Sequence, residues 1–280
     1  EHEGLQDFSI SRLKTKMPWG VEVPDDNEQV MFVWFDALVN YISTLGWPKD
    51  EDTYSTFWPG TQFAGKDQVR QQAVMWQAML LSAKLPMTKQ IFIHGFLSID
   101  GQRISKSLGN VVSPFDLVEK YGQDATRYLM LRHVNPYEDT DVSWNKFTEW
   151  YNAGLANGLG NLVARIMKLA EDNLDAPIER PEPVGFPKEF TDAIDNFEFN
   201  KAMDFIWSKI QGLDQRINAE EPFKLVKTDK EAGKKLIIEL VTELYWIGRY
   251  LNPFMPKTNE LIKSTILANK KPESLFKRIE

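Results

Sequence analysis

The sequence predicts an α/β domain followed by an all-α domain, and three features of the apolar pattern lead to this prediction. Short, largely apolar segments of the kind that form buried strands lie at 31–36, 62–64 and 91–94. Beyond Ser113, apolar residues recur at helical spacing to about residue 267. Four prolines and a glycine between residues 175 and 187 predict a linker within the helical part. We therefore expect a partial parallel sheet first and a helical bundle after it.

The bulk composition fits a folded protein without a membrane partner. Of the 280 residues, 42% are hydrophobic and 26% are charged, which is ordinary for a globular protein, and the length predicts about two domains. No apolar run approaches the ~18 residues of a membrane-spanning helix. The amino-terminal residues lack the pattern of a signal peptide. We expect a cytoplasmic location.

Charge and cysteine content argue against two classes of site. The net charge of −7 disfavours one dominant basic face for nucleic acid, although it permits local basic strips. Cysteine is absent, and the three histidines, His2, His94 and His133, are scattered. The chain therefore offers neither a disulfide framework nor zinc ligands, and we predict no metal site.

Residues 1–30 are polar, and we expect them to be extended with turns. The first strand and helix are predicted from the apolar residues that follow this segment. Residues 31–36 read as a buried parallel strand, and Ala37–Leu45 as a short helix that ends at Gly46. Trp34, Ala37 and Tyr41 then lie near the carboxyl end of a strand, where open α/β sheets bind ligands. Packing in the core is an equally simple role for the two aromatic residues.

The stretch 60–67, GTQFAGKD, matches the phosphate-loop pattern G-x-x-x-x-G-K except at its last position. Asp67 stands where a Ser or Thr hydroxyl would hold Mg²⁺. We expect instead a strand at 62–64, a tight turn at Gly65 and a helix from Asp67 to about Lys84. Gln68, Gln72 and Trp76 recur at i, i+4 and i+8 in that helix, so they would share one face, which either contacts a ligand or faces solvent.

Residues 91–110, IFIHGFLSIDGQRISKSLGN, combine a strand, a turn and a basic loop. Residues 91–94 read as a strand, and Asp100-Gly101 predicts a hairpin turn. The loop that follows carries two cations and two hydroxyls, Arg103, Ser105, Lys106 and Ser107. Such a loop suits a polyphosphate, because ammonium and hydroxyl groups donate to phosphate oxygens. A solvated basic loop is the alternative.

The remainder of the chain predicts helices joined by connections of uneven length. Ser113 followed by Pro114 is a typical helix start, with helical segments at 115–121 and 125–133 around Gly122. A long helix is expected from Ser143 or Asn145 to about Asp172. Further helical patterns cover 188–219, 234–251 and 257–267.

A polar stripe runs along the predicted long helix. Asn157, Asn161 and Arg165 recur at i, i+4 and i+8, on a helix that also contains glycines at 154, 158 and 160. Glycine costs about 1 kcal/mol in a helix relative to alanine, so these positions suggest close approach by another helix or a ligand. Amides and a guanidinium suit the exposed edges of unstacked RNA bases. A solvated face is the alternative.

The segment 94–132, HGFLSIDGQRISKSLGNVVSPFDLVEKYGQDATRYLMLR, resembles a known family. Its Arg-Ile-Ser-Lys-Ser is similar to the KMSKS signature of class I aminoacyl-tRNA synthetases, and the longer string resembles methionyl-tRNA synthetases. Ordered similarity extends from about Leu5 to about Pro256. The resemblance implies the second half of a Rossmann-like catalytic domain with the signature loop (1–112), a helical connective region (113–142) and an α-helical anticodon-binding domain (143–280).

The resemblance also implies a reaction. Methionine and ATP, accompanied by Mg²⁺, form methionyl-adenylate, and the methionyl group then passes to tRNA(Met). Lys106 would stabilise the pyrophosphate leaving group, assisted by Arg103, Ser105 and Ser107. A synthetase for Leu, Val, Ile or Cys, or a separate tRNA-binding module, is an alternative.

Further site residues follow from the resemblance by position. ATP would be bound by Gly65, His94, Gly95 and Lys106. The amino acid would be bound by Trp34, Ala37, Tyr41, Asp67, Gln72 and Trp76. The tRNA anticodon would be bound by Asn157, Asn161, Arg165 and Phe223. Relatives commonly carry an aliphatic residue at position 68, His at position 72 and Trp at position 223. The resemblance therefore says least about how this chain would recognise the methionine side chain.

One motif of the family is absent from the chain. The His-Ile-Gly-His-like motif of the first half of the nucleotide fold is missing, because the one His-Gly pair, His94-Gly95, belongs to a later strand. We therefore expect the carboxyl-terminal portion of a synthetase. We also predict that these residues alone do not form the adenylate.

Overall fold

The computed structural model describes residues 7, 9–104 and 111–280. The chain forms two compact units, Glu1–Phe96 and Leu97–Glu280. Strands occur between residues 11 and 142, and helices account for most of the chain after residue 143. This order confirms an α/β part followed by a helical part, whereas the functional boundaries after 112 and 142 stay a prediction.

The first unit begins with a small antiparallel sheet. Strands β1 (Ser11–Leu13), β2 (Glu22–Val23) and β3 (Asp26–Met31) pair in the order β1-β3-β2. The predicted strand at 31–36 is wrong, because β3 ends at Met31 and helix α1 (Val33–Ala37) follows. A short apolar run fits a buried strand or a buried helical turn equally well, and hydrophobicity alone does not distinguish them.

The predicted helix Ala37–Leu45 is divided in the structure. Helix α1 ends at Ala37, and helix α2 covers Asn40–Ser43. Gly46 follows with a φ of +96°, a left-handed conformation that glycine adopts without a steric penalty. Helix α3 (Glu51–Phe57) begins after Asp50, whose carboxylate accepts the backbone N–H of Thr53 at 3.0 Å.

A two-stranded parallel sheet confirms two of the predicted strands. Strands β4 (Thr61–Gly65) and β5 (Gln90–His94) pair so that Gly65 lies opposite His94. Between the strands lie a 3₁₀ turn, a π-helical segment and helix α4, in the order Lys66–Gln68, Arg70–Met75 and Trp76–Ser82.

The predicted helix from Asp67 to Lys84 is therefore helical without being one α-helix. Gln68 lies in the 3₁₀ turn and Gln72 in the π-helical segment. The predicted α-helical spacing of Gln68, Gln72 and Trp76 does not hold, because both segments depart from 3.6 residues per turn. Gln72 and Trp76 are nevertheless both buried. Trp76 packs in a core with Leu38, Ile42, Tyr54, Trp58, Met75 and Leu80.

The second unit begins with a mixed sheet that contains the predicted hairpin. Strands β6 (Leu97–Ile99) and β7 (Gln102–Arg103) are antiparallel, and β8 (Thr140–Val142) pairs with β6 in parallel. Asp100 and Gly101 form the turn with φ values of +50° and +73°, as two-residue hairpin loops require. Ser105, Lys106 and Ser107 of the predicted signature loop lie outside the described residues.

Helical starts match the sequence closely in the next region. Helix α5 (Pro114–Tyr121) begins at Ser113, whose Oγ accepts the Phe115 N–H at 3.1 Å. Helix α6 covers Gln123–His133. The long helix begins at Ser143, not Asn145, because the Ser143 hydroxyl accepts the Lys146 N–H at 3.1 Å. It comprises α7, a π-helical segment and α8, which cover Trp144–Tyr151, Asn152–Gly160 and Asn161–Asn173.

The remaining helices complete a bundle around the largest apolar core. They are α9 (Lys188–Asp195), α10 (Phe199–Glu220), α11 (Pro222–Thr228), α12 (Lys230–Leu251) and α13 (Pro256–Leu267). The pattern predicted as one helix at 188–219 is divided at Phe197, which has a φ of +59°. Fully buried residues of the long helix, α10 and α12 form the centre of this core, among them Leu159, Ile166, Ile206 and Leu244. Among the described residues, none of the helices is long and apolar enough to span a membrane.

Candidate functional site

A groove of about 530 Å³ runs beside the long helix and brings the predicted polar stripe together. Asn157, Asn161 and Arg165 all line it from the π-helical segment and α8. The opposite side is formed by α10, which contributes Trp207 and Asp214 among others. The groove therefore places two amides and a guanidinium along one concave surface.

Close packing explains one of the glycines beside the groove. A Cβ atom on Gly154 would lie 1.9 Å from the hydroxyl of Tyr128 on α6. The Gly154 carbonyl also accepts the indole N–H of Trp207 at 3.3 Å. The expected close approach is thus made at this position by α6 and α10 of the protein itself.

Arg165 is held in place by two groups of α10. Its Nη1 forms an ion pair with the Asp214 carboxylate, and its Nη2 donates to Asn218 Oδ1 at 2.8 Å. Asn218 Nδ2 in turn donates to Asp214 Oδ2 at 3.3 Å. The Arg165 and Asp214 side chains are about one-third exposed, at 34% and 41%. A planar guanidinium fixed by two acceptors keeps further donors for a ligand in the groove.

A second pocket of about 420 Å³ adjoins the first and contains Phe223. Asn161 and Arg165 line both pockets, so the four predicted anticodon residues surround one continuous surface. The Phe223 ring is 43% exposed at the start of α11. Lys168 and Lys271 also line this second pocket. Neither lysine was predicted from the sequence, and Lys271 is more than one hundred positions away from Lys168 along the chain.

The other end of the groove contains further residues that were not predicted from the sequence. Arg132 of α6 donates through Nε to Asp204 of α10 at 3.1 Å. The Arg132 guanidinium carbon lies 4.6 Å from the ring centroid of Trp207, which is a cation–π distance. These residues are 72 and 75 positions apart, and no local spacing signals such a pairing.

The predicted nucleotide residues of the first unit gather at the carboxyl ends of β4 and β5. The Cβ that Gly65 lacks would lie 2.9 Å from Asp67 Oδ1 and 3.7 Å from both His94 Cε1 and Phe96 Cε1. His94 Nδ1 donates to the Gly95 carbonyl at 2.9 Å, because a carbonyl oxygen only accepts. The Lys66 ammonium lies 4.7 Å above the Phe96 ring. Because Gly65 has no side chain, the space between Asp67, His94 and Phe96 at the ends of these strands is not filled by a Cβ atom.

The predicted amino-acid residues form an aromatic and amide cluster in the same unit. Gln72 Nε2 donates to the Tyr41 hydroxyl at 2.9 Å, and the Tyr41 and Trp76 rings lie 6.0 Å apart. Gln72 Oε1 and Trp76 Nε1 are buried without a hydrogen-bond partner among the described residues. Trp34 packs against this core, and Ala37 ends α1. Buried polar atoms are nearly always paired, so two such atoms indicate a place for a polar ligand or water.

Asp141 of β8 is a further residue that the sequence did not predict, and it lies beside β6 of the hairpin that contains Arg103. Its Oδ1 accepts from the Gly101 N–H at 2.7 Å and from the Ser98 hydroxyl at 2.8 Å. Lys146 Nζ lies 3.0 Å from Asp141 Oδ2. The Gly101 N–H, the Ser98 hydroxyl and Lys146 lower the pKa of Asp141 to about 2, in that order of importance. Ser98 is the register partner of Arg103, so this carboxylate anchors the hairpin that contains Arg103.

A family model described as class I tRNA synthetases (M) matches residues 2–167, which is more than half of the 280 residues. The chain belongs to this family. The prediction of a methionyl-tRNA synthetase relative is confirmed, and the alternative of a family for Leu, Val, Ile or Cys is set aside. The match includes the polar stripe and the described strands, whereas Phe223 and Lys271 lie beyond it.

Individual relatives of this class I synthetase chain agree with the family model. The methionine--tRNA ligase of Rickettsia prowazekii (strain Madrid E) is 36% identical, over 99% of this chain and 57% of its own length. That of Brucella melitensis is 36% identical, over 95% of this chain and 54% of its own length. The structure of Mycobacterium tuberculosis methionyl-tRNA synthetase in complex with methionyl-adenylate superposes with a TM-score of 0.80 at 33% identity, over 92% of this chain and 54% of that chain. The chain thus spans little more than half the length of these relatives.

Proposed function

We propose that the chain forms the tRNA-reading and signature-loop portion of a methionyl-tRNA synthetase. The whole enzyme would activate methionine with ATP and transfer it to tRNA(Met). The observation that carries the proposal is the surface formed by two adjoining pockets, on which Asn157, Asn161, Arg165 and Phe223 converge. Membership of the class I tRNA synthetase family supports the proposed reaction, which is aminoacylation of tRNA.

The chemistry of the two pockets suits single-stranded RNA. Asn157 and Asn161 each offer a donor and an acceptor to a base edge, and Arg165 offers donors in a fixed plane. Phe223 is exposed enough for a base to stack on its ring, an interaction worth about 1–3 kcal/mol per base. Recognition of RNA sequence relies on these two modes, hydrogen bonds to base edges and stacking on aromatic rings.

Methionine would bind beside the half-buried Tyr41 and the buried Gln72 and Trp76. The unpartnered Gln72 Oε1 and Trp76 Nε1 offer one acceptor and one donor to the substrate or to a water that it displaces. Trp34 and Ala37 would border the apolar part of this site. Asp67, in the 3₁₀ turn that follows β4, would attract the substrate ammonium group.

ATP would bind at the carboxyl ends of β4 and β5, where Gly65, His94 and Gly95 lie. The methionine carboxylate attacks the α-phosphorus and the bond to pyrophosphate breaks, with Mg²⁺ accompanying the phosphates. Lys106 and Arg103, with the hydroxyls of Ser105 and Ser107, would neutralise the charge on the departing pyrophosphate.

In the second step, a hydroxyl of the terminal adenosine of the tRNA attacks the methionyl carbonyl, and AMP leaves. The enzyme forms no covalent intermediate in either step. The rate would therefore come from alignment of the reactants and from stabilisation of charge.

The proposal is tested with the full-length enzyme that contains these residues. Methionine-dependent exchange of pyrophosphate into ATP and charging of tRNA(Met) should both be observed. Asn161→Ala and Arg165→Ala should raise KM for tRNA in charging by about tenfold or more, since each removes base contacts worth about 1–3 kcal/mol, and should leave exchange unchanged. Lys106→Ala should slow exchange strongly.

Two results would refute the proposal. One is a full-length enzyme that exchanges pyrophosphate with another amino acid and not with methionine. The other is a pair of stripe variants, Asn161→Ala and Arg165→Ala, that charge tRNA(Met) with unchanged KM. The 280-residue chain alone should show no exchange.

A further inference from the structure

The pocket that contains Phe223 is lined by cations and by no acidic side chain. Its charged lining residues are Arg165, Lys168 and Lys271, and the others are Asn161, Ala164, Leu169, Ile217 and Phe223. A chain with a net charge of −7 must concentrate positive charge locally to attract a polyanion. The three cations differ in how they are neutralised, and that difference suggests separate tasks.

Arg165 is the least suited of the three to hold a phosphate. Its charge is compensated by Asp214 and its plane is fixed by Asn218. A phosphate placed on it would face the Asp214 carboxylate at close range, and like charges at such distances repel. Arg165 is therefore suited to a neutral acceptor on a base edge.

Lys168 is paired, but weakly. Its Nζ lies 2.6 Å from Asp172 Oδ1 one turn further along α8, and the side chains are 56% and 49% exposed. Exposed i,i+4 pairs of this kind contribute little to stability because water screens them. A phosphodiester that approaches Phe223 can therefore share or replace Asp172 as the partner of Lys168.

Lys271 is presented to the pocket by a non-helical segment, 269–280, that runs along the long helix from Glu171 toward Tyr151. The segment is attached by side chains to backbone groups: Asn152 donates to the Ile279 carbonyl at 2.7 Å and accepts its N–H at 3.0 Å. Tyr151 donates to the Lys277 carbonyl at 3.0 Å. The Lys271 N–H itself donates to Glu171 Oε2 at 3.3 Å.

These contacts fix the backbone at position 271 and leave the side chain available. The Lys271 ammonium forms no ion pair with any of the described residues. It is thus the one lining cation of this pocket with no acidic partner in the described part of the chain. Such a group gains most from an incoming anion, because binding breaks no existing ion pair.

We propose that Lys168 and Lys271 form a phosphodiester-binding subsite for the single-stranded loop of the bound tRNA, next to the base-reading residues. This inference rests on the proposed function. A base stacked on Phe223 would carry its phosphate to the same pocket, which Lys168 and Lys271 line. Phosphate contacts fix register and orientation, and base contacts specify sequence. The segment 269–280 is then part of the tRNA site.

The subsite is tested by the salt dependence of tRNA binding to the full-length enzyme. Lys271→Gln is compared with Lys270→Gln, the same change of charge at the neighbouring exposed residue, which lines neither pocket. Loss of one phosphate contact on a single strand should reduce the slope of log K against log salt by about 0.7. Affinity for tRNA(Met) should then fall about eightfold at 50 mM salt and converge with wild type near 1 M. Lys270→Gln should retain the wild-type slope.

Further variants separate this inference from the function on which it rests. Lys271→Arg should restore the slope because it restores the charge, and Lys168→Gln should reduce the slope as Lys271→Gln does. Asn161→Ala should lower affinity for tRNA(Met) at every salt concentration and leave the slope unchanged. Melting temperatures of all variants check that each is folded.

If Lys271→Gln and Lys168→Gln both kept the wild-type salt slope, as Lys270→Gln should, and Asn161→Ala still weakened binding, the phosphate subsite would be overturned. Unchanged binding in Asn161→Ala would instead overturn the proposed tRNA surface itself.

Discussion

Replacement of Gly154 by alanine should destabilise the helical unit. The new Cβ would lie 1.9 Å from the Tyr128 hydroxyl oxygen and 2.8 Å from Cζ, far inside van der Waals contact. Tyr128 is fully buried, so its ring has no free space into which to move. Its hydroxyl also contacts Arg132 Nη1 and His133 Nε2, each at 3.1 Å. Relief of the clash must therefore displace the long helix or break this network.

The expected cost can be worked from these contacts. Overpacking a close-packed core costs about 1–3 kcal/mol, and loss of one or two hydrogen bonds adds about 1 kcal/mol each. The gain of about 1 kcal/mol from alanine in a helix offsets part of this. We expect Gly154→Ala to lower the free energy of unfolding by about 3 kcal/mol, which corresponds to a fall of roughly 6–12 °C in melting temperature.

Gly212→Ala is the matched control, because the same methyl group is added to a helix where it meets no atom. A Cβ placed on Gly212, which is exposed on α10, would have no neighbouring atom within 4 Å. That variant should gain about 1 kcal/mol from helix propensity alone. Differential scanning calorimetry and urea denaturation of both variants measure the two shifts. Equal stability of Gly154→Ala and wild type would refute the conclusion that Gly154 is packed too closely against Tyr128 to accept a Cβ atom.

Three further predictions concern buried or anchored polar groups. Burial, assisted by the nearby Arg132, lowers the pKa of His133 to about 4. The unfolded chain then binds the proton more readily, so His133 should make the free energy of unfolding fall as pH drops from about 6.5 to about 4. Urea titrations should show a weaker dependence in His133→Phe than in wild type. Asp124 is buried and accepts the Thr258 N–H at 2.6 Å and its hydroxyl at 2.8 Å, so Asp124→Ala should cost about 3 kcal/mol in urea denaturation; a change below ~1 kcal/mol would contradict this. Asp141→Ala removes the acceptor of the Gly101 N–H, so that amide should exchange hydrogen faster by NMR, whereas an unchanged rate would mean that the turn alone holds the hairpin.

The sequence predicted local structure correctly where one or two residues determine the backbone conformation. The hairpin at Asp100-Gly101 and the helix start at Ser113 were predicted, and Ser143 was one of two candidate starts with Asn145, because turns and caps depend on a few adjacent residues. The strand predicted at 31–36 was wrong because hydrophobicity records burial and not backbone conformation.

The two π-helical segments were not predictable from the pattern of apolar residues. They cover 70–75 and 152–160, and each shifts the backbone hydrogen bonds by one residue while the chain stays helical. Apolar spacing does not record such a shift, since the buried face continues through it. π-helical turns occur frequently at functional sites, and both segments here contain or adjoin candidate binding residues, Gln72 and Asn157.

The candidate site divides in the same way into local and long-range parts. Asn157, Asn161 and Arg165 were found from i, i+4, i+8 spacing, because a helix converts that spacing into one face. Asp214 and Trp207 of the groove and Lys271 of the second pocket were missed, because each comes from another segment of the chain. The sequence thus predicts the residues of one wall, and only the packing of helices reveals the opposite wall.

The net charge of −7 is compatible with the proposed tRNA surface, because the acidic residues near the groove hold the cations in place. Asp214 fixes the plane of Arg165, and Asp204 holds Arg132 beside Trp207. A cation oriented in this way is suited to read a base and contributes little to long-range attraction. The phosphates are then attracted mainly by the few cations that lack a strong acidic partner, and Lys271 is the clearest example. Removal of such a lysine should change the salt slope, whereas removal of an orienting acid should change the discrimination between bases.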